Sequence, residues 1–71
     1  MTLVKIGNNA YVNKAEIVLF CSLDHISENT QRAATDLTQG GKSRSALLLN
    51  NGTWLLSDIS INTLRTRIAG E

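Results

Sequence analysis

Ala46-Leu47-Leu48-Leu49-Asn50-Asn51-Gly52-Thr53-Trp54-Leu55-Leu56 is the stretch that decides the fold. Two apolar runs flank Asn51-Gly52, the dipeptide that most readily takes positive φ at both central positions of a type I′ hairpin turn. The stretch is therefore predicted to be a β-hairpin with Leu49 opposite Trp54, Leu47 opposite Leu56 and Leu48 opposite Leu55. The first two pairs lie on one face and the third on the other, so both faces are apolar. Asn51-Gly52-Thr53 also matches a glycosylation sequon, but the turn geometry is a sufficient reason for these residues.

Upstream of the hairpin, Gly40-Gly41-Lys42-Ser43-Arg44 reads as a loop in which two glycines free the backbone, so that N–H groups can be presented beside two positive side chains. Before it, Ile26, Thr30, Ala33, Ala34 and Leu37 fall on one side of a helical spacing that starts at Ser27 and is predicted to end at Gly40-Gly41. Ile17-Val18-Leu19-Phe20-Cys21 is apolar throughout, short, and rich in β-branched and aromatic types, which predicts a strand covered on both faces. Leu3 to Ile6 and Ala10 to Val12 read as a starting hairpin turned at Gly7-Asn8-Asn9. Downstream, Ser60 can cap a last helix whose Ile61, Leu64 and Ile68 share one side, ending before Gly70.

The expected fold is α+β: a small antiparallel sheet of about five short strands with two helices, in the order βββαββα. The whole chain, residues 1–71, reads as one domain. A core this small is worth only roughly 3–5 kcal/mol without disulfides, metal or subunit contacts. Cys21 is the single cysteine and His25 the single histidine, so neither an internal disulfide nor a zinc-type Cys/His set is available. Two short helices do not cover both faces of a sheet built on the leucine hairpin. These facts together predict a homo-oligomer assembled through the hairpin surface, with Leu47, Leu49, Trp54, Leu56 and Phe20 at the interface.

The net charge of +1 excludes a basic nucleic-acid tail and an acidic, solvating chain alike. No apolar stretch approaches the roughly 20 residues that span a bilayer, so no membrane partner is expected and a cytoplasmic protein is the default. Gly41-Lys42-Ser43 resembles the end of a phosphate-binding P-loop, yet that motif needs glycine where Asp36 stands and a strand where a helix is read. Cys21 and His25 lack a third, orienting group, and no catalytic residue, cofactor or metal is expected. Trp54, among three aromatics, reads as core or interface and not as a stacking platform for bases.

Three stretches together resemble the bacterial RemA-type extracellular matrix regulators: Ile6-Gly7 leading to Val12, Gly40-Gly41-Lys42-Ser43-Arg44-Ser45, and Ser57 with Thr63 and Arg67. In that family the middle stretch runs glycine, two basic residues, Thr or Ser, arginine, then a small residue and an apolar strand that turns into a second strand ending in serine. The resemblance implies a small DNA-binding transcription regulator that forms a curved oligomer and sets basic loops along the double-stranded DNA backbone. Lys42 matches one of the paired loop basics, and Arg44 and Arg67 match recurring arginines. Gly41 stands where the family carries the first loop basic residue, and Glu16 where it carries another DNA-facing arginine. The segment before Gly40 is shorter than the family's, and the family's prolines are missing.

On this reading Lys42 and Arg44, with Lys14, Ser43 and Gly41, make the DNA contacts, to phosphates and not to bases. The alternative is an oligomeric adaptor or inhibitor, such as a phage-borne relative, that binds a protein or a small ligand and has lost DNA binding. Convergence of Lys14, Lys42 and Arg44 on one outer face favours the first; neutralisation of that face by Glu16 favours the second.

Overall fold

The computed structural model describes residues 2–7, 9–38 and 40–70. Strand β1 (Leu3–Gly7) pairs antiparallel with β2 (Ala10–Asn13) as a separate two-stranded ribbon. Its expected turn falls partly on Asn8, outside the described residues; next to it Asn9 has φ 59°. A 3-10 turn, Lys14–Glu16, leads into β3 (Ile17–Ser22), and a second, Leu23–His25, leads into helix α1 (Glu28–Ala33). Then come β4 (Thr35–Asp36), β5 (Ser45–Leu49), β6 (Trp54–Ser57) and helix α2 (Ile61–Ile68). The main sheet has the order β3-β5-β6-β4.

The fold is α+β, as expected, and the described residues form six strands in two sheets where about five in one sheet were predicted. The added strand, β4, lies where the first helix was expected to continue. Ser27 does cap α1, its hydroxyl accepting from the Thr30 amide at 3.2 Å, but the helix ends at Ala33. The small alanines of its apolar stripe bury too little to hold another turn. Thr35 and Asp36 instead extend and pair parallel with Leu55 and Leu56 at the open side of β6, a long-range gain that local periodicity does not report.

The hairpin forms, with a register one residue away from the expected one. The Gly52 amide donates to the Leu49 carbonyl at 2.9 Å and the Leu49 amide to the Thr53 carbonyl at 2.9 Å, so Asn50, Asn51 and Gly52 all belong to the loop. Within Asn51-Gly52 only Gly52 has positive φ, at 88°. This is a turn followed by a glycine bulge, the second geometry that an Asn-Gly pair serves, and not type I′. Leu48 now faces Trp54, and Leu47 faces Leu55.

A shift of one residue exchanges faces. Leu47 and Leu49, with Leu55, Phe20 and Ile17, meet the core made by Val4, Ile6 and Val12 of the ribbon and Leu64 and Ile68 of α2. By the alternation of the strands, Leu19, Leu48, Trp54 and Leu56 lie on the opposite face, and α1 packs on β6.

Two buried serines tie the layers together. Ile6 has no Cα partner in β2 because the register slips between Lys5 and Gly7, and its carbonyl accepts the Ser57 hydroxyl. Ser57 Oγ accepts in turn from the Ile59 amide at 3.0 Å, while Ser45 Oγ donates to the Ile59 carbonyl at 2.7 Å. Helix α2 starts at Ser60 as expected, with the cap accepting from the Thr63 amide at 3.3 Å. Among the described residues no helix is long and apolar enough to cross a membrane.

Candidate nucleic-acid interface

The segment between β4 and β5 holds the two loop cations. Gly40 takes φ 88°, and the Gly41 amide donates to the Thr38 carbonyl at 3.1 Å, closing a tight turn for which glycine has no steric penalty. Lys42 and Arg44 are both exposed, Ser43 is half-buried and Gly41 is exposed. Arg44 is fixed through its backbone on two sides: its amide donates to the Ser57 carbonyl at 2.8 Å, and its carbonyl accepts from the Leu23 amide at 3.3 Å. A charged side chain thus leaves from a backbone that already belongs to the sheet.

Upstream of the turn, the Asp36 carboxylate accepts from both the amide and the hydroxyl of Thr38, at 2.8 and 2.6 Å. The Thr38 hydroxyl, and after it the amide, hold the Asp36 carboxyl below the usual carboxylate range. The same hydroxyl reaches the Gly41 carbonyl at 3.0 Å. Neither Asp36 nor Thr38 was singled out from sequence, although an Asp two residues before a Thr is a known way of closing a turn through its side chain.

Lys14 does not join this group within one subunit. Its 3-10 turn is tied to the other end of β5, where the Asn50 amide donates to the Glu16 carbonyl at 2.9 Å. Arg44 and Asn50 bracket the strand and are separated by roughly 20 Å at about 3.4 Å per residue. Lys14 lies instead beside an open cleft of about 560 Å³ that it lines with Thr2, Asn13 and Ala15. Exposed Glu16 shares that end of the molecule and leaves the Lys42 end alone. Arg67 serves the fold, its guanidinium donating to the Lys5 carbonyl at 3.1 Å and fastening α2 to the ribbon.

The P-loop reading fails on its second half: a two-residue strand does precede the loop, but β5 follows Arg44 where a P-loop requires a helix. Cys21 sits on β3, and burial pushes its thiol up, opposite to the shift that activates a nucleophile.

The residues expected at a subunit interface divide. Leu47 is fully buried and Leu56 nearly so within the subunit, which removes Leu47 from the surface a partner can touch; Phe20, Leu49 and Trp54 are half-buried. The exposed apolar side chains lie elsewhere, with Val18 57% and Leu19 41% exposed on β3, and Leu3 58% and Tyr11 59% exposed on the ribbon. Val18 is the bulged residue of β3, since Ile17 faces Leu49 and Leu19 already faces Leu48. The strand expected to be covered on both faces thus packs Ile17 and Phe20 on the core but exposes Val18 and Leu19, and among the described residues it is the edge of its sheet.

Residues 3–68 match the model of the RemA-like family, described as extracellular matrix regulatory protein A-like. No curated protein matches the chain.

Proposed function

The chain belongs to the RemA-like family, and from that premise we propose that it is a homo-oligomeric DNA-binding regulatory protein that grips the phosphate backbone through Lys42 and Arg44. The observation that carries this reading is the loop itself: two exposed cations, one on each side of Ser43, projected from a backbone hydrogen-bonded at Gly41 and at Arg44. Such a loop has little freedom left to lose on meeting a phosphate. The pair offers no bidentate set for a base edge, so sequence preference is modest and comes from DNA shape.

Assembly is integral to the reading. With a net charge of +1, one subunit has little attraction for DNA, whereas repeated loops add contacts on one duplex. The open edge of β3, carrying Val18 and Leu19, supports a surface that a second copy covers. If three subunits each set two cations on phosphates, the affinity falls with salt at a log–log slope near about −5.

Fluorescence anisotropy of a labelled duplex across a salt series tests this. The native protein should show that slope, and Lys42→Ala with Arg44→Ala should abolish binding while the oligomer persists. The separation of Lys14 from Lys42 favours the adaptor reading, whereas Glu16, at the Lys14 end, leaves the Lys42 and Arg44 end unneutralised. Native protein without salt-sensitive binding at low ionic strength would refute the DNA reading and leave the adaptor reading in its place.

A further inference from the structure

Thr38 is buried in a segment where Asp36, Gly40, Gly41 and Lys42 are exposed, and it touches both ends of the turn before the cations. Its amide and hydroxyl reach Asp36 at 2.8 and 2.6 Å, its hydroxyl also approaches the Gly41 carbonyl at 3.0 Å, and its own carbonyl accepts from the Gly41 amide at 3.1 Å. Gly41 is held so closely that a Cβ there would lie 3.2 Å from the Thr38 carbonyl oxygen. The last residue of β4, the turn and the residue before Lys42 are thereby one hydrogen-bonded unit. Asp36 belongs to β4 and is paired with Leu56, so the unit is anchored in the main sheet.

An anionic carboxylate within six positions of Lys42 is otherwise hard to reconcile with a phosphate-gripping loop, because it opposes the approach of DNA. We propose that Asp36 and Thr38 are positioning residues for that loop: they make no DNA contact, and they fix Gly41 so that Lys42 and Arg44 are presented in one arrangement. The proposal rests on the DNA-binding reading above. Its physical content is that a loop ordered before binding has less conformational entropy to lose when the phosphates are engaged.

Charge and positioning predict opposite signs, which makes the idea testable. Asp36→Ala removes a negative charge, so electrostatics alone would tighten DNA binding; loss of the clamp weakens it. The experiment is duplex anisotropy on the full chain for Asp36→Ala, Asp36→Asn, Thr38→Val and Thr38→Ser, with oligomer mass and circular dichroism confirming an unchanged fold. Asp36→Ala and Thr38→Val should each weaken binding on the order of tenfold, with the salt slope unchanged because no phosphate contact is lost. Asp36→Asn and Thr38→Ser keep an acceptor and a hydroxyl, and should bind as the native protein does or better.

Amide hydrogen exchange at Gly41, measured without DNA, should be faster in Thr38→Val than in the native chain. Tighter binding by Asp36→Ala, undiminished binding by Thr38→Val, or unaltered Gly41 exchange would overturn the proposal. If the native protein binds no duplex, the DNA reading itself falls and with it the purpose of the clamp. Faster Gly41 exchange would then show that the clamp exists, so the two failures are distinguishable.

Discussion

Replacing Ser57 by alanine removes a single oxygen atom, yet it should lower the melting temperature by roughly 8–16 °C, given about 4–8 °C per kcal/mol for a domain of this size. Ser57 is fully buried, donates its hydroxyl proton to the Ile6 carbonyl and accepts from the Ile59 amide at 3.0 Å. The Ile6 carbonyl lies at the bulge in β1, where Ile6 has no Cα partner across the ribbon, and it meets the Ser57 hydroxyl there. Alanine fills nearly the same space, so the cost is that of a buried acceptor left without its partner, about 1–3 kcal/mol, and a central value of about 2 kcal/mol is adopted. The Ile59 amide is half-buried and can find water, so it adds little. Thermal unfolding followed by circular dichroism, at one fixed subunit concentration because assembly makes melting concentration-dependent, reads the effect directly. Asp58→Ala, a change at the exposed neighbour, serves as the control and should stay within about 0.5 kcal/mol. A drop of less than about 2 °C in Ser57→Ala would refute the claim that this hydroxyl joins the ribbon to the main sheet.

Gly52→Ala should cost about 1–2 kcal/mol, since Gly52 is the loop residue with φ 88°, whereas Asn51→Ala should cost about 0.5 kcal/mol from the exposed bond its Oδ1 accepts from the Thr53 amide; equal midpoints in urea for the two variants would contradict the bulged turn. Val18→Lys with Leu19→Lys, at the open edge of β3, should leave a folded chain with the 7.7 kDa mass of one subunit by light scattering at low micromolar concentration. An oligomer of native mass would instead move the interface elsewhere, with Leu3 and Tyr11 of the ribbon next in line.

Most features that depend on a few neighbouring residues were legible. The caps at Ser27 and Ser60 need only a hydroxyl and an amide three positions on, and both helices start where those serines stand. The spacing of Leu64 and Ile68 located α2, and the unbroken run from Ile17 located β3. The basic loop was visible because its glycines and cations are contiguous. Its clamp was overlooked because an Asp and a Thr in an apparent helix look like solvated positions, and only the pairing of Asp36 with Leu56 turns them into the foot of the loop.

The sequence by itself determined the α+β class, the existence of the leucine hairpin, the starts of the helices and the place of the cationic loop, all of which follow from contacts a few residues apart. The tertiary structure alone decided the hairpin register, because Asn51-Gly52 satisfies two turn geometries of nearly equal local merit and the choice rests on which leucines meet Val4, Ile6 and Leu64. It decided in the same way that Leu47 is core while Leu19 is surface, that Lys14 lies at the far end of β5 from Arg44, and that Ser57 bonds a carbonyl 51 residues away. Such pairings depend on bringing distant segments together and on the surface buried when they meet, quantities that no local pattern in a chain of this length contains.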